Sequence, residues 1–151
     1  PNPSVSRVTY EILGECNQVS LCEPLDVIEC HNIISKCLMV LTDSGGLQEE
    51  ATALGKPVIV MRNVTERPEG ILAGASRLAG TNKEQIVATV SAVLSDHAVL
   101  ESMANAKSPY GDGFASKRIV DFTSKITSMS DDGILDEKLD TVHEFLDIGS
   151  P

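Results

Sequence analysis

Residues 41–60 read LTDSGGLQEEATALGKPVIV. An apolar run stops at Ser44-Gly45-Gly46, a helix-forming stretch carrying Glu49 and Glu50 runs on to Gly55, and a second apolar run begins at Pro57. A strand, a glycine turn, a helix and another strand make the repeating half-unit of a parallel sheet, because two parallel strands need a crossover between them.

Working outward, the same alternation continues. Upstream, LMVLT (38–42) completes the first strand, and Asp26 is placed to cap a helix that runs to about Cys37. VSLC (19–22) reads as a short strand ended by Glu23-Pro24, and Val5, Val8, Ile12 and Leu13 fall at helical spacing before it. Downstream, PVIVM (57–61) is a strand, RNVTERPEG a polar loop, residues 68–73 a short helix and SRLAG (76–80) the next strand. Thr81 and Glu84 have the spacing of a capping box, opening a helix to about Leu94, and Asp96 can cap another. SPYGDG (108–113) is a turn, from which Asp112 can cap a last helix between Phe114 and about Ile126. The fold class is therefore α/β, a parallel sheet with helices on both faces.

Composition bounds what such a domain can do. The chain has 151 residues and a formal net charge of −10, a field that repels nucleic acid and anionic membranes, so neither is expected as a partner. Cys16, Cys22, Cys30 and Cys37 form no C-x-x-C pair, and three histidines (His31, His97, His143) give no metal spacing, so neither a metal nor a cofactor is expected. Reduced thiols, no apolar run of membrane-spanning length and no signal-like N-terminus point to the cytoplasm. The chain opens on Pro1-Asn2-Pro3 without an initiator Met, which raises the expectation of a segment of a longer protein.

Domain organisation reads as one globular unit over residues 1–127 and an acidic tail over 128–151. The tail holds seven acids against Lys138, more than half of the net charge, and sets Leu135, Leu139, Val142 and Leu146 on one helical face. An amphipathic helix folding back over the domain is the expectation there.

The quoted stretch carries the chemistry. The first-turn N–H groups of a helix lack intrahelical partners and the macrodipole adds positive charge, so that end attracts anions. Gly45 and Gly46 remove the Cβ atoms that would keep a phosphate from the backbone, and Ser44 adds a hydroxyl. Glu50 lies one turn beyond Gly46 on the same face, where the diol of a nucleotide's ribose would sit. Arg67, in TERPEG, follows the next strand and can clamp a diphosphate. The residues alone leave a second reading of each open: a capped turn, a pair of surface carboxylates, a solvated loop arginine, and in His31 a structural histidine.

The run TDSGGLQEEATALGKPVIVMRNVTERPEG, followed by AGASRLAGT and NAKSPYGDGFASKRIV, closely resembles the C-terminal half of the non-hydrolysing UDP-N-acetylglucosamine 2-epimerases. PLDVIECHN (24–32) and the initial PNP resemble segments of the same family, and the likeness extends to about residue 127. It implies a GT-B architecture, two Rossmann-like domains with the sugar nucleotide between them, of which this chain is the second. It also implies the reaction: elimination of UDP to a 2-acetamidoglucal, then re-addition with C2 inverted.

Carried over, the resemblance gives Ser44, Gly45 and Gly46 the diphosphate, Glu50 the ribose and Arg67 the phosphates. The expected partners are UDP and a UDP-N-acetylhexosamine, an N-terminal Rossmann-like domain in cis or trans, and a second copy in a homodimer. Two departures stand out. The family usually has an aromatic by the uracil ring where this chain has Cys30, and its C2 acid/base carboxylates lie in the N-terminal domain, so no catalytic residue is assigned here. The expectation is a truncated epimerase that holds UDP. The alternatives are the UDP-sugar-binding subunit of a two-subunit glycosyltransferase, or a UDP-binding module without catalysis.

Overall fold

The computed structural model describes residues 3–130, and the chain divides after Tyr110 into two compact units. In the first unit, helix α1 spans Pro3–Leu13 and α2 Val27–Lys36; strand β1 (Val40–Thr42) leads into α3 (Gly45–Ala53), β2 (Val58–Val60), α4 (Pro68–Leu72) and β3 (Ser76–Leu78). Two further helices, α5 (Lys83–Ser95) and α6 (His97–Ala104), follow. The three strands lie in the order β1-β2-β3, all parallel, with Val40 opposite Val58 and Val58 opposite Ser76.

Alternation along β2 builds the core on both sides. Val58 and Val60 pack with Ile34 of α2 and Ala51 of α3, while Ile59 turns to the opposite face and meets Val93 of α5, Met103 of α6 and Ala79. All three β2 residues are fully buried, which is why this strand reads as an unbroken apolar run rather than an alternating one. Helices on both faces of a parallel sheet are what the sequence pattern called for. Among the described residues no single helix is long and apolar enough to cross a membrane.

Ends of the helices explain their lengths. Asp26 and Glu29 form a reciprocal capping box at α2, with the Asp26 side chain accepting from the Glu29 amide at 2.8 Å. α3 stops in a Schellman motif: Lys56 N–H bonds Ala51 O at 2.9 Å, Gly55 N–H bonds Thr52 O at 3.1 Å, and Gly55 takes φ 67°, a conformation that suits glycine.

Two local expectations need correction. VSLC (19–22) is no strand: a short apolar run becomes one only where a neighbour offers a ladder, and here Val19, Ser20 and Cys22 stay exposed. Thr81 does not open α5; Asn82 does, accepting from the amides of Glu84 and Gln85, because its side-chain oxygen reaches both. The helix that the spacing of Val5, Val8, Ile12 and Leu13 predicts does form as α1, with Val5, Val8 and Ile12 exposed.

In the second unit, α7 covers Ala115–Ser130, longer than its sequence pattern indicates. Asp112 accepts from the Phe114 amide at 3.1 Å and pairs with Arg118. The tail helix expected through Leu135, Leu139, Val142 and Leu146 lies outside the described residues.

Candidate functional site

The carboxyl ends of β1 and β2 release the two loops that meet over the start of α3. Thr42, the last residue of β1, is buried and its hydroxyl accepts from the Ser44 amide at 3.0 Å, so the chain turns sharply out of the sheet. Ser44 then caps α3, its hydroxyl accepting from the Leu47 amide at 3.4 Å. No acid occupies the first turn of this helix, so its positive end is not neutralised from within.

Gln48 carries the geometry across to the second loop. It is fully buried, its amide nitrogen donates to Ser44 O at 3.3 Å, and its amide oxygen accepts from the Thr65 hydroxyl at 2.7 Å. Thr65 Oγ1 accepts in turn from the Arg67 amide at 3.0 Å, so the arginine's backbone is tied to the first turn of α3. A Tyr110 hydroxyl bond to Arg67 O at 3.5 Å holds the other side, and burial pushes the Tyr110 phenol above its ordinary value.

The Arg67 side chain lies back along α3. Its Nε donates to Glu49, its Nη1 donates to Glu66 O at 3.1 Å, and the hydrogen bond to Glu49 is the first cause of its raised pKa. A methyl group on Gly45 would stand 3.9 Å from Arg67 Nη2, so the guanidinium borders the glycine turn. The same methyl would come within 2.5 Å of the Glu66 carboxylate, which therefore rests on the open start of α3. Arg62 Nη1 donates to Glu66 at 2.5 Å. Glu66 is held below its ordinary pKa first by a backbone hydrogen bond at its own residue and then by the charges of Arg62 and Arg67, which together outweigh desolvation.

Glu50 sits one turn along. A methyl on Gly46 would be 3.7 Å from Glu50 Oε1 and 4.0 Å from Ser44 Oγ, so glycine, hydroxyl and carboxylate share one face. His31 Nε2 of α2 lies 3.0 Å from Glu50 Oε2. Cys30, the preceding residue, is half-buried and packs on the cluster of Ile34, Ala51, Val58 and Val60.

All five residues singled out from the sequence, Ser44, Gly45, Gly46, Glu50 and Arg67, are thus gathered at one end of the sheet. Sequence reasoning passed over Gln48 and Thr65, which set the distance between the loops, and over the pairing of Glu49 with Arg67 and of His31 with Glu50. The ion pairs join residues 18 and 19 positions apart, and no local pattern announces those.

Comparison with known proteins identifies relatives of the chain. The sequence profile of the UDP-N-acetylglucosamine 2-epimerase family matches residues 1–124. The UDP-N-acetylglucosamine 2-epimerase of Bacillus subtilis is 49% identical over 120 residues, covering 80% of this chain and 32% of that protein. Among solved structures, the S. aureus MnaA–UDP co-structure aligns with a TM-score of 0.80 at 46% identity, over 84% of this chain and 35% of the other. The UDP-GlcNAc 2-epimerase from Neisseria meningitidis bound to UDP-GlcNAc aligns at 0.78 and 40%, over 82% and 33%. This chain spans about a third of the length of the curated relatives it matches. A family profile over four-fifths of the chain, on a parallel sheet with helices that superimposes on those structures, makes this chain a member of the UDP-N-acetylglucosamine 2-epimerase family, carrying the Rossmann-like C-terminal part of its GT-B fold.

Proposed function

We propose that this chain holds the UDP moiety in a UDP-N-acetylglucosamine 2-epimerase, the isomerase that interconverts UDP-GlcNAc and UDP-ManNAc by eliminating and re-adding UDP. The observation that carries the reading is the start of α3: a hydroxyl cap, two glycines and no acid in the first turn, bordered by the Arg67 guanidinium. Such an end stabilises the diphosphate leaving group, whose charge grows as the C1–O bond breaks. Ser44, Gly45 and Gly46 take the diphosphate, Arg67 neutralises it from the second loop, and Glu50 accepts from the ribose hydroxyls.

The base that takes the C2 proton is assigned to an N-terminal Rossmann-like domain, in cis or trans, and residues 1–127 form the UDP-binding domain. All four cysteines are free, which supports a reducing compartment and a cytoplasmic enzyme. Isothermal titration of the 151-residue chain with UDP and with uridine tests the site: UDP binds and uridine binds far more weakly. The chain alone gives no turnover of UDP-GlcNAc. Turnover by the chain alone, or equal affinity for UDP and uridine, removes this assignment.

A further inference from the structure

We propose that His31 is a positioning residue for the ribose, fixing the Glu50 carboxylate so that one oxygen stays available to the diol of a uridine diphosphate. The inference rests on the UDP-binding reading of this site and deepens it. His31 Nε2 lies 3.0 Å from Glu50 Oε2, and the two side chains are 42% and 39% exposed. A carboxylate only accepts, so Nε2 carries the proton, as it does in one neutral tautomer and in the imidazolium.

The two oxygens of Glu50 are thereby made unequal. Oε2 is taken by His31, and Oε1 faces the glycine turn, 3.7 Å from where a Gly46 Cβ would stand. A glutamate on a helix has three rotatable bonds and loses that freedom on binding a ligand; holding it beforehand removes the cost. It also has to sit beside a diphosphate without swinging onto the open start of α3, where it would compete for the same amides. His31 prevents that swing. The backbone that carries His31 is itself fixed, since Cys30 packs into the cluster of Ile34, Ala51, Val58 and Val60 while His31 reaches sideways to α3.

The recognition unit is therefore the His31–Glu50 pair, and its ligand class is a nucleoside 5′-diphosphate with both ribose hydroxyls in place. The test is titration of UDP and of 2′,3′-dideoxy-UDP into the 151-residue chain and its variants. His31→Ala should lose about tenfold in affinity for UDP and less than about twofold for the dideoxy ligand. His31→Gln, whose amide reaches the same carboxylate, should recover most of the loss. His31→Asn, too short to reach it, should repeat the alanine result and serves if the alanine variant does not fold. Equal losses for the two ligands, or none, overturn the role of His31 while leaving the UDP site intact. A native chain that binds neither ligand overturns the reading of the site itself.

Discussion

Two neighbouring helices, α2 and α3, begin in the same way and end up with opposite electrostatics. Each is opened by a residue in extended conformation whose side chain accepts from the amide three positions on. At α2 that residue is Asp26 and the first turn also holds Glu29, so two carboxylates meet the exposed amides and the positive end is quenched. At α3 the cap is the neutral Ser44, the next two residues are glycines, and no acid follows. The first helix uses its dipole for stability; the second keeps it available for an anion. The Glu66 carboxylate, held by Arg62, lies against that start.

The comparison can be broken by exchanging the caps. Ser44→Asp gives α3 the kind of start that α2 has, and should lower UDP affinity more than about a hundredfold while leaving the melting temperature unchanged or higher, because aspartate caps as well as serine. Calorimetry and thermal melts together read it; a variant that binds UDP normally would mean that the helix start is not the phosphate site. Arg67→Ala comes next, with UDP weakened by between roughly ten- and a hundredfold and uridine scarcely changed, the pattern of a lost charge-assisted bond to phosphate. A loss shared equally by uridine would place Arg67 away from the phosphates.

Glu66→Gln should act in the opposite direction. Removing the charge that rests on α3 should tighten UDP by about threefold, more at low salt than at high, since the competing interaction is between partly exposed charges. Weaker binding instead would mean that Glu66 orders Arg62 and Arg67 for the ligand rather than standing in its place. Asp26→Ala sharpens the other half of the comparison: it should cost about 1 kcal/mol of stability, as cap removals do, with UDP affinity unchanged.

The smallest effect concerns Asp112 in the second unit, whose carboxyl is held far below its ordinary value first by Arg118 and then by the Phe114 amide. A depressed folded-state pKa means that the contribution is complete above the ordinary aspartate value and is lost as the pH falls below it. The pair is exposed, so helical circular dichroism of the native chain and of Arg118→Ala should differ slightly near neutrality and converge in acid. A difference that persists in acid would show that Arg118 supports α7 through something other than this pair.

Local chemistry made most of the frame readable from the sequence. The β1-turn-α3-β2 unit, the caps Asp26, Ser44 and Asp96, and the Gly55 stop depend on residues within a few positions of one another, where propensity and hydrogen-bonding capacity act directly. Gathering Arg67 with Ser44, Gly45, Gly46 and Glu50 was also foreseeable, since loops at the carboxyl ends of parallel strands share one edge of the sheet. Where a local rule failed, the neighbouring groups decided: Asn82 reached the α5 amides that Thr81 was expected to meet, and among the described residues no strand pairs with residues 19–22.

What the sequence by itself determined, then, is the order of elements from α2 onward, both faces of β2 and the open start of α3, because each follows from hydrophobic period and from backbone groups left unpaired at a helix end. Only the tertiary structure decided which side chain each charged group faces. Glu49 meets Arg67, Glu50 meets His31, Glu66 rests on Gly45, and buried Gln48 sets the gap between the loops. Adjacent glutamates in a sequence are chemically alike; on a helix they point about 100° apart, and a ladder of sheet and loop contacts fixes what waits in each direction.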